Sequence, residues 1–239
     1  MDGTALSRVG EAELRQVVKC AAFGASSLAD QQAAVGDFGG QLQLVDVERL
    51  TVPVFRVQAH DGLLNALDAR GGQVHAGAST AQPPVLPSRM SPCAVMLMLL
   101  PPSLQSTGHG APEIATCGRD GAVRVWDPRQ PDAAVASFPP AGGSSASDCW
   151  CVAMGNAFDD QERCVLAGYA NGDLRMFDLR TGTVRWEANV AAGVCCVQVG
   201  GGCQWGVCLV MTYRPVSAFL NLCHAGGCRL LAAGCHGGA

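Results

Sequence analysis

Along residues 33–46, AAVGDFGGQLQLVD, small apolar residues give way to a glycine turn. An alternation of apolar and polar side chains then runs to Asp46. The same order returns at 114–127, IATCGRDGAVRVWD, and at 165–178, VLAGYANGDLRMFD. In register, Gly40, Gly121 and Gly172 coincide, as do Leu42, Val123 and Leu174; Leu44, Val125 and Met176; Val45, Trp126 and Phe177; and Asp46, Asp127 and Asp178. A period of two is what a β-strand with two differently packed faces requires. Glycine at the head of the alternating run supplies the positive φ of a tight hairpin. The pattern predicts two antiparallel strands joined by a short turn, three times over.

Further extended runs flank each unit. VVKCAAF (17–23), LLNALD (63–68) and CWCVAM (149–154) precede them; VPVFRV (52–57), AAVASF (133–138) and TVRWEA (183–188) follow. GVCCVQV (193–199) follows the third unit. Four short strands per repeat make one blade of a β-propeller. The expectation is an all-β chain with an N-terminal tail at 1–17 and an incomplete propeller over 18–239, its blades near 18–57, 63–138, 149–188 and 193–239.

Two segments break the spacing. Asp127 and Asp178 are 51 residues apart, but Asp46 and Asp127 are 81 apart. The excess lies in 73–109, which is rich in Pro, Ser and Ala. A second anomaly fills 200–226. Both open at a Gln-Val pair, Gln73–Val74 and Gln198–Val199, which CAG-GTN can encode, so both read as retained intron and are expected to be irregular inserts. RLLAAGCHGGA at 229–239 aligns with 113–121 through Leu230, Leu231, Gly234 and Gly237. The chain is therefore expected to stop inside a fourth blade, at about three and a half blades.

Composition narrows the function classes. Hydrophobic residues at 49% with 15% charged exclude pervasive disorder. A net charge of −4 argues against a nucleic-acid surface. No apolar run reaches about 18 residues, so no membrane span is expected; the burst from Cys93 to Leu100 is too short. Asp2, Arg8, Glu11 and Glu13 are unlike a secretory signal. The thirteen cysteines then read as reduced thiols, mostly small buried hydrophobes. Cys203, Cys208, Cys223, His224, Cys228, Cys235 and His236 crowd together without a zinc spacing. No metal and no cofactor are expected. The sequence has no G-x-S-x-G, G-x-x-x-x-G-K-[ST] or H-E-x-x-H motif, and Cys223–His224 falls in the second insert. No catalytic residue and no enzyme activity are expected.

Trp126–Asp127 is a Trp-Asp pair outright, while Val45–Asp46 and Phe177–Asp178 are degenerate versions. In this the chain resembles the WD-repeat proteins. The resemblance implies blades of a seven-bladed ring, and in the second repeat a buried polar chain of His60, Thr116, Asp120 and Trp126. There Asp120 would fix the His60 tautomer and the Trp126 N–H would find an acceptor. This structural reading is preferred to a catalytic His60–Asp120 dyad. The first repeat has Val35 and Gly39 at the Thr and Asp positions, and the third has Ala167 and Asn171 with no preceding His. Those blades are expected to rely on packing.

The stretches GDFGGQLQLVDVE, RDGAVRVWDPRQPDAAVASF, DCWCVAMGNAF and AGYANGDLRMFDLRTGTVRWEANV are similar, within that family, to the axonemal dynein assembly factors. That likeness covers roughly 18–72, 110–198 and 229–239. It implies a cytoplasmic, non-enzymatic scaffold for pre-assembly of axonemal dynein heavy chains, working with prefoldin-like subunits and a co-chaperone complex of RuvB-like ATPases. It also implies that about the first blade and the last three are lacking, so that the terminal faces of an open arc stay exposed and favour aggregation or partner capture. The alternative is a substrate receptor of a cullin ubiquitin ligase. WDPR (126–129) and FDLR (177–180) match WDxR-like boxes, in which Arg129 and Arg180 would contact an adaptor.

Overall fold

The computed structural model describes residues 13–23, 31–50, 52–70, 113–130, 132–140, 146–156 and 163–199, with residues 11 and 25. It also describes 206–212, 217–224 and 227–234 as backbone strands. The 73–109 segment and most of the 1–17 tail lie outside the described residues. Among the described residues every regular element is a strand.

Sixteen strands form four antiparallel sheets, each built from consecutive strands. Sheet 1 holds β1 (Val18–Phe23), β2 (Gln32–Asp37), β3 (Gln41–Asp46) and β4 (Pro53–Gln58). Sheet 2 holds β5 (Leu64–Arg70), β6 (Glu113–Gly118), β7 (Val123–Trp126) and β8 (Ala136–Phe138). Sheet 3 holds β9 (Cys149–Asn156), β10 (Arg163–Tyr169), β11 (Asp173–Asp178) and β12 (Thr183–Asn189). Sheet 4 holds β13 (Val194–Val199), β14 (Gly206–Thr212), β15 (Ser217–His224) and β16 (Gly227–Gly234).

The three repeats share one hairpin between their second and third strands. Gly40, Gly121 and Gly172 have φ of 81°, 72° and 91°. Each amide bonds back to the carbonyl three residues before, at Asp37, Gly118 and Tyr169. This is a type I turn closed by a left-handed residue, a connection that matches strand twist and favours glycine at its last position.

Alternation along the strands becomes packing between sheets. In β6, Ile114 faces sheet 1 with Trp126, while Ala115 and Cys117 face sheet 3 with Val123 and Val125. In β10, Val165, Ala167 and Tyr169 face sheet 2, whereas Cys164 and Leu166 belong with Val194, Val197 and Val199 of sheet 4. The second strands of sheets 2 and 3 are therefore buried along nearly their whole length. Phe138 and Phe177 stack across the sheet 2–sheet 3 contact with centroids 4.3 Å apart. Arg163 and Glu113 form an ion pair between the same two sheets. Where Gly36 faces Leu64 and Gly168 faces Val194, an added Cβ would fall 2.6 Å and 2.5 Å from those side chains. The middle repeat has Cys117 at that place, because the residue opposite is the smaller Cys149.

Sheet packing runs from 1 to 2 to 3 to 4, an open arc. The fourth sheet corrects the sequence reading. Residues 200–226 are not an irregular insert throughout: 206–212 and 217–224 are β14 and β15. Residues 227–234 are the fourth strand of a complete sheet, not the second strand of a half-blade, and Leu231 pairs with Leu220. GVCLVMT and SAFLNLCH carry enough apolar residues to make strands, but they lack the Gly-turn signature that marks the other three repeats.

Candidate functional site

The most connected polar site joins the β4–β5 loop to sheet 2. His60 lies before β5, Thr116 sits in mid-β6, Asp120 in the β6–β7 turn and Trp126 at the end of β7. Trp126 Nε1 donates to Thr116 Oγ1 at 3.0 Å. Thr116 Oγ1 lies 2.9 Å from His60 Nε2, and His60 Nδ1 lies 2.8 Å from Asp120 Oδ1. Indole can only donate and carboxylate only accept, so these contacts have one direction in a neutral imidazole. Trp126 donates to Thr116, the Thr116 hydroxyl donates to Nε2, and Nδ1–H donates to Asp120. His60 is 2% and Thr116 0% exposed, so each bond satisfies a group that water does not reach.

Arg124 completes the site. Its Nη1 lies 2.8 Å from Asp120 Oδ2, 2.9 Å from Ala59 O and 2.8 Å from His60 Nδ1. Two protons serve the two oxygens, because Nδ1 already holds a proton aimed at Asp120. The Ala122 amide also donates to Asp120, at 3.1 Å. Burial acts to raise the Asp120 pKa, but hydrogen bonds from His60 and Arg124 outweigh it and hold the carboxyl well below the ordinary range. The sequence pattern does not single out Arg124, though Gln43, Arg124 and Arg175 share one repeat position.

The other repeats carry polar contacts of a more local kind, where packing alone was expected. Asp37 Oδ1 accepts from the Gly39 and Gln41 amides, both at 2.9 Å. In the third repeat Asn171 Oδ1 accepts from the Asp173 amide at 3.0 Å, and Asn189 and Asn171 donate to the Asp173 carboxylate. Those bonds, with Arg175 nearby, lower the Asp173 pKa. The aligned aspartates share a second role: Asp46, Asp127 and Asp178 each accept from the amide two residues on, at 2.8, 2.9 and 2.8 Å. These are Asx turns that start the path from third to fourth strand.

Arg129 and Arg180 occupy these turns, at the ends of β7 and β11. The Arg129 guanidinium is engaged within the chain: Nε lies 3.0 Å from Asp127 Oδ1 and Nη2 2.6 Å from Asp127 Oδ2. That fork depresses the Asp127 pKa. The Arg180 amide caps on Asp178, and its side chain lies near that carboxylate.

Cys20, Cys117, Cys149 and Cys151 are free thiols. Cys117 and Cys151 bond to the carbonyls of Cys149 and Val194 at 3.5 and 3.3 Å. Burial pushes Cys20 up to about 12 and Cys117 and Cys151 upward, which makes them poor nucleophiles. Among the described residues no group of three His, Cys, Asp or Glu side chains could hold a metal. The crowded cysteines and histidines from Cys203 onward lie outside the residues whose side chains are described.

Four-stranded sheets packed face to face, with this relay at the second, have relatives of known structure. A chain in the crystal structure of the mitotic checkpoint complex superposes with a TM-score of 0.55 at 11% identity, covering 84% of this chain and 48% of that one. Chaetomium thermophilum Sqt1, bound to the N-terminus of ribosomal protein L10, gives 0.52 at 17% identity, covering 81% and 40%. Both are WD-repeat propellers, and at these identities they show the fold alone. No protein-family profile matches the chain. Sequence relatives go further. Dynein axonemal assembly factor 10 of Chlamydomonas reinhardtii is 48% identical over 198 residues, which is 83% of this chain. The chain is a WD-repeat homologue of dynein axonemal assembly factor 10. The Xenopus tropicalis and human proteins of that name are 42% and 40% identical over 79% and 81% of it. This WD-repeat chain spans about half the length of the curated relatives it matches: 46%, 44% and 45%.

Proposed function

We propose that the chain is a non-enzymatic WD-repeat scaffold acting in the cytoplasmic pre-assembly and stabilisation of axonemal dynein heavy chains. Its partners would then be those heavy chains, prefoldin-like subunits and a co-chaperone complex of RuvB-like ATPases. Homology to the assembly factors carries the reading. The site geometry supports the non-enzymatic part. His60 and Asp120 form a catalytic-looking pair, yet a general base must present a free nitrogen to substrate. Here Nε2 is taken by Thr116 and the residue is 2% exposed.

The cullin-receptor reading draws less support. An adaptor-binding Arg129 would have to leave its two-pronged contact with Asp127. The test is affinity capture with the tagged chain from ciliated cells, with eluted proteins identified by mass spectrometry. Dynein heavy chains and prefoldin-like subunits are expected. A cullin adaptor in their place would sink the assembly reading.

A further inference from the structure

Asn171 is the one asparagine in the sequence followed by glycine; Asn65, Asn156, Asn189 and Asn221 precede Ala, Ala, Val and Leu. A glycine carries no Cβ to crowd its own amide nitrogen, so an Asn-Gly pair can close on itself. The Gly172 nitrogen forms a bond to Asn171 Cγ, the Cγ–Nδ2 bond breaks, and ammonia leaves. Water then opens the cyclic imide at either carbonyl, to aspartate or to isoaspartate. Ring closure needs a Gly172 N–H that a base can reach and a carboxamide free to turn onto that nitrogen.

The β10–β11 turn withholds both. Gly172 is buried; its amide donates to Tyr169 O at 3.1 Å and its carbonyl accepts from Val190 at 3.0 Å. A Cβ at Gly172 would fall 2.9–3.1 Å from backbone atoms of Ala191 and Ala192, so that loop lies over the glycine. The Asn171 side chain is exposed but held at both ends. Its Oδ1 accepts from the Asp173 amide at 3.0 Å, and its Nδ2 donates to Asp173 Oδ2 at 2.8 Å. Asn189 clamps the same turn from β12, with Nδ2 2.7 Å from Asp173 Oδ1 and 3.3 Å from Asn171 O. The Asn171 amide donates to Ser147 Oγ at 3.2 Å.

We propose that Asn171 is a site of spontaneous deamidation whose rate is set by the opening of this turn. Local opening of a few hydrogen bonds is the step that frees the Gly172 N–H and the carboxamide together. Either product places a carboxylate where Nδ2 meets Asp173 Oδ2. Two acceptors then face each other, that hydrogen bond cannot re-form, and the change runs one way.

The test incubates the intact 239-residue chain and a synthetic peptide of residues 164–175, CVLAGYANGDLR, side by side at neutral pH. Brief trypsin digestion releases the same peptide from the chain, and mass spectrometry reads the amide-to-acid mass gain. The chain is expected to convert at least about tenfold more slowly than the peptide. Asn189→Ala lies outside the peptide, so the control rate is the same for both chains. Loss of its bonds is expected to speed conversion in the folded variant about two- to tenfold. Should that variant unfold, urea below the midpoint of the wild type takes its place, and conversion is expected to rise before the global transition. Equal rates in the wild-type chain and the peptide overturn the proposal. So does a rate that neither Asn189→Ala in a folded chain nor urea below the midpoint raises.

Discussion

At the residue scale, the weight of the relay falls on Trp126. Its ring fills the sheet 1–sheet 2 cluster and its N–H starts the chain of donors. Trp126→Ala is expected to destabilise by about 3–5 kcal/mol, the usual range for a large buried aromatic. His60→Ala is expected to lose roughly 1–3 kcal/mol, because buried Thr116 keeps other partners. Urea midpoints of the two variants check the ranking, and equal small shifts would count against the network. Asp120 adds a pH dependence. Its folded pKa is depressed, so its contribution is full above the unfolded carboxylate value of about 4 and is lost as pH falls through the folded value. Asp120→Asn is expected to lower stability at pH 7 and to flatten the decline below about pH 4, read from urea midpoints across pH. A decline as steep as the parent's would remove Asp120 as its source. The residues of this relay can be placed from the sequence because His, Thr, Asp and Trp have directional needs that few arrangements meet. Arg124 is not legible in the same way, because an arginine on an alternating strand reads as an exposed polar position. Only the fold brings Ala59 O and Asp120 to its guanidinium. The fork between Arg129 and Asp127 is equally hidden, since two neighbouring charges in a turn say nothing about which way either points.

At the element scale, the hairpins explain why three repeats are legible. Gly121 takes φ of 72°, and a Cβ there would come 2.7 Å from Ser147 O. Gly121→Ala therefore combines left-handed strain of about 1–2 kcal/mol with a backbone clash. It is expected to lower the urea midpoint clearly, whereas Gly182→Ala should show the strain alone. Gly182 has φ of 69°, and a Cβ added there would meet nothing within 4 Å. Comparable losses at the two glycines would show that the clash at Gly121 is relieved by loop movement. Sheet 4 is not legible by the same route. Its second and third strands are joined through 213–216 and carry no Gly-Gly, Asp-Gly or Asn-Gly turn in register with the others. Strand formation there depends on apolar content, which a search for repeats does not score. The lesson is about the kind of signal: turn chemistry marks position in a repeat, whereas hydrophobicity marks only that a segment can be buried.

At the scale of the whole molecule, stability is distributed by neighbours. A sheet in a repeat array is held by its own strands and by the sheets on either side. Sheets 2 and 3 are covered on both faces, and β6 and β10 are buried along nearly their whole length. By contrast β1 and β12 alternate between exposed and half-buried positions. Opening β10 exposes two interfaces, toward Phe138 and Val125 on one side and Val194 and Val197 on the other. Opening β1 exposes one, where Cys20 meets Leu64. Fully burying one aliphatic side chain is worth roughly 1.5–3 kcal/mol, against about 5–15 for a whole domain. A difference of one interface is thus large enough to separate local from global opening. Amide hydrogen exchange is expected to be slowest over 113–118 and 163–169 and fastest over 18–23 and 183–189. Val165→Ala, at the sheet 2–sheet 3 contact, is expected to speed exchange in both of those sheets and to leave sheet 1 nearly unchanged. Equal acceleration in every strand would mean that the arc opens as one cooperative unit, and nearest-neighbour packing would then fail as the account of its stability.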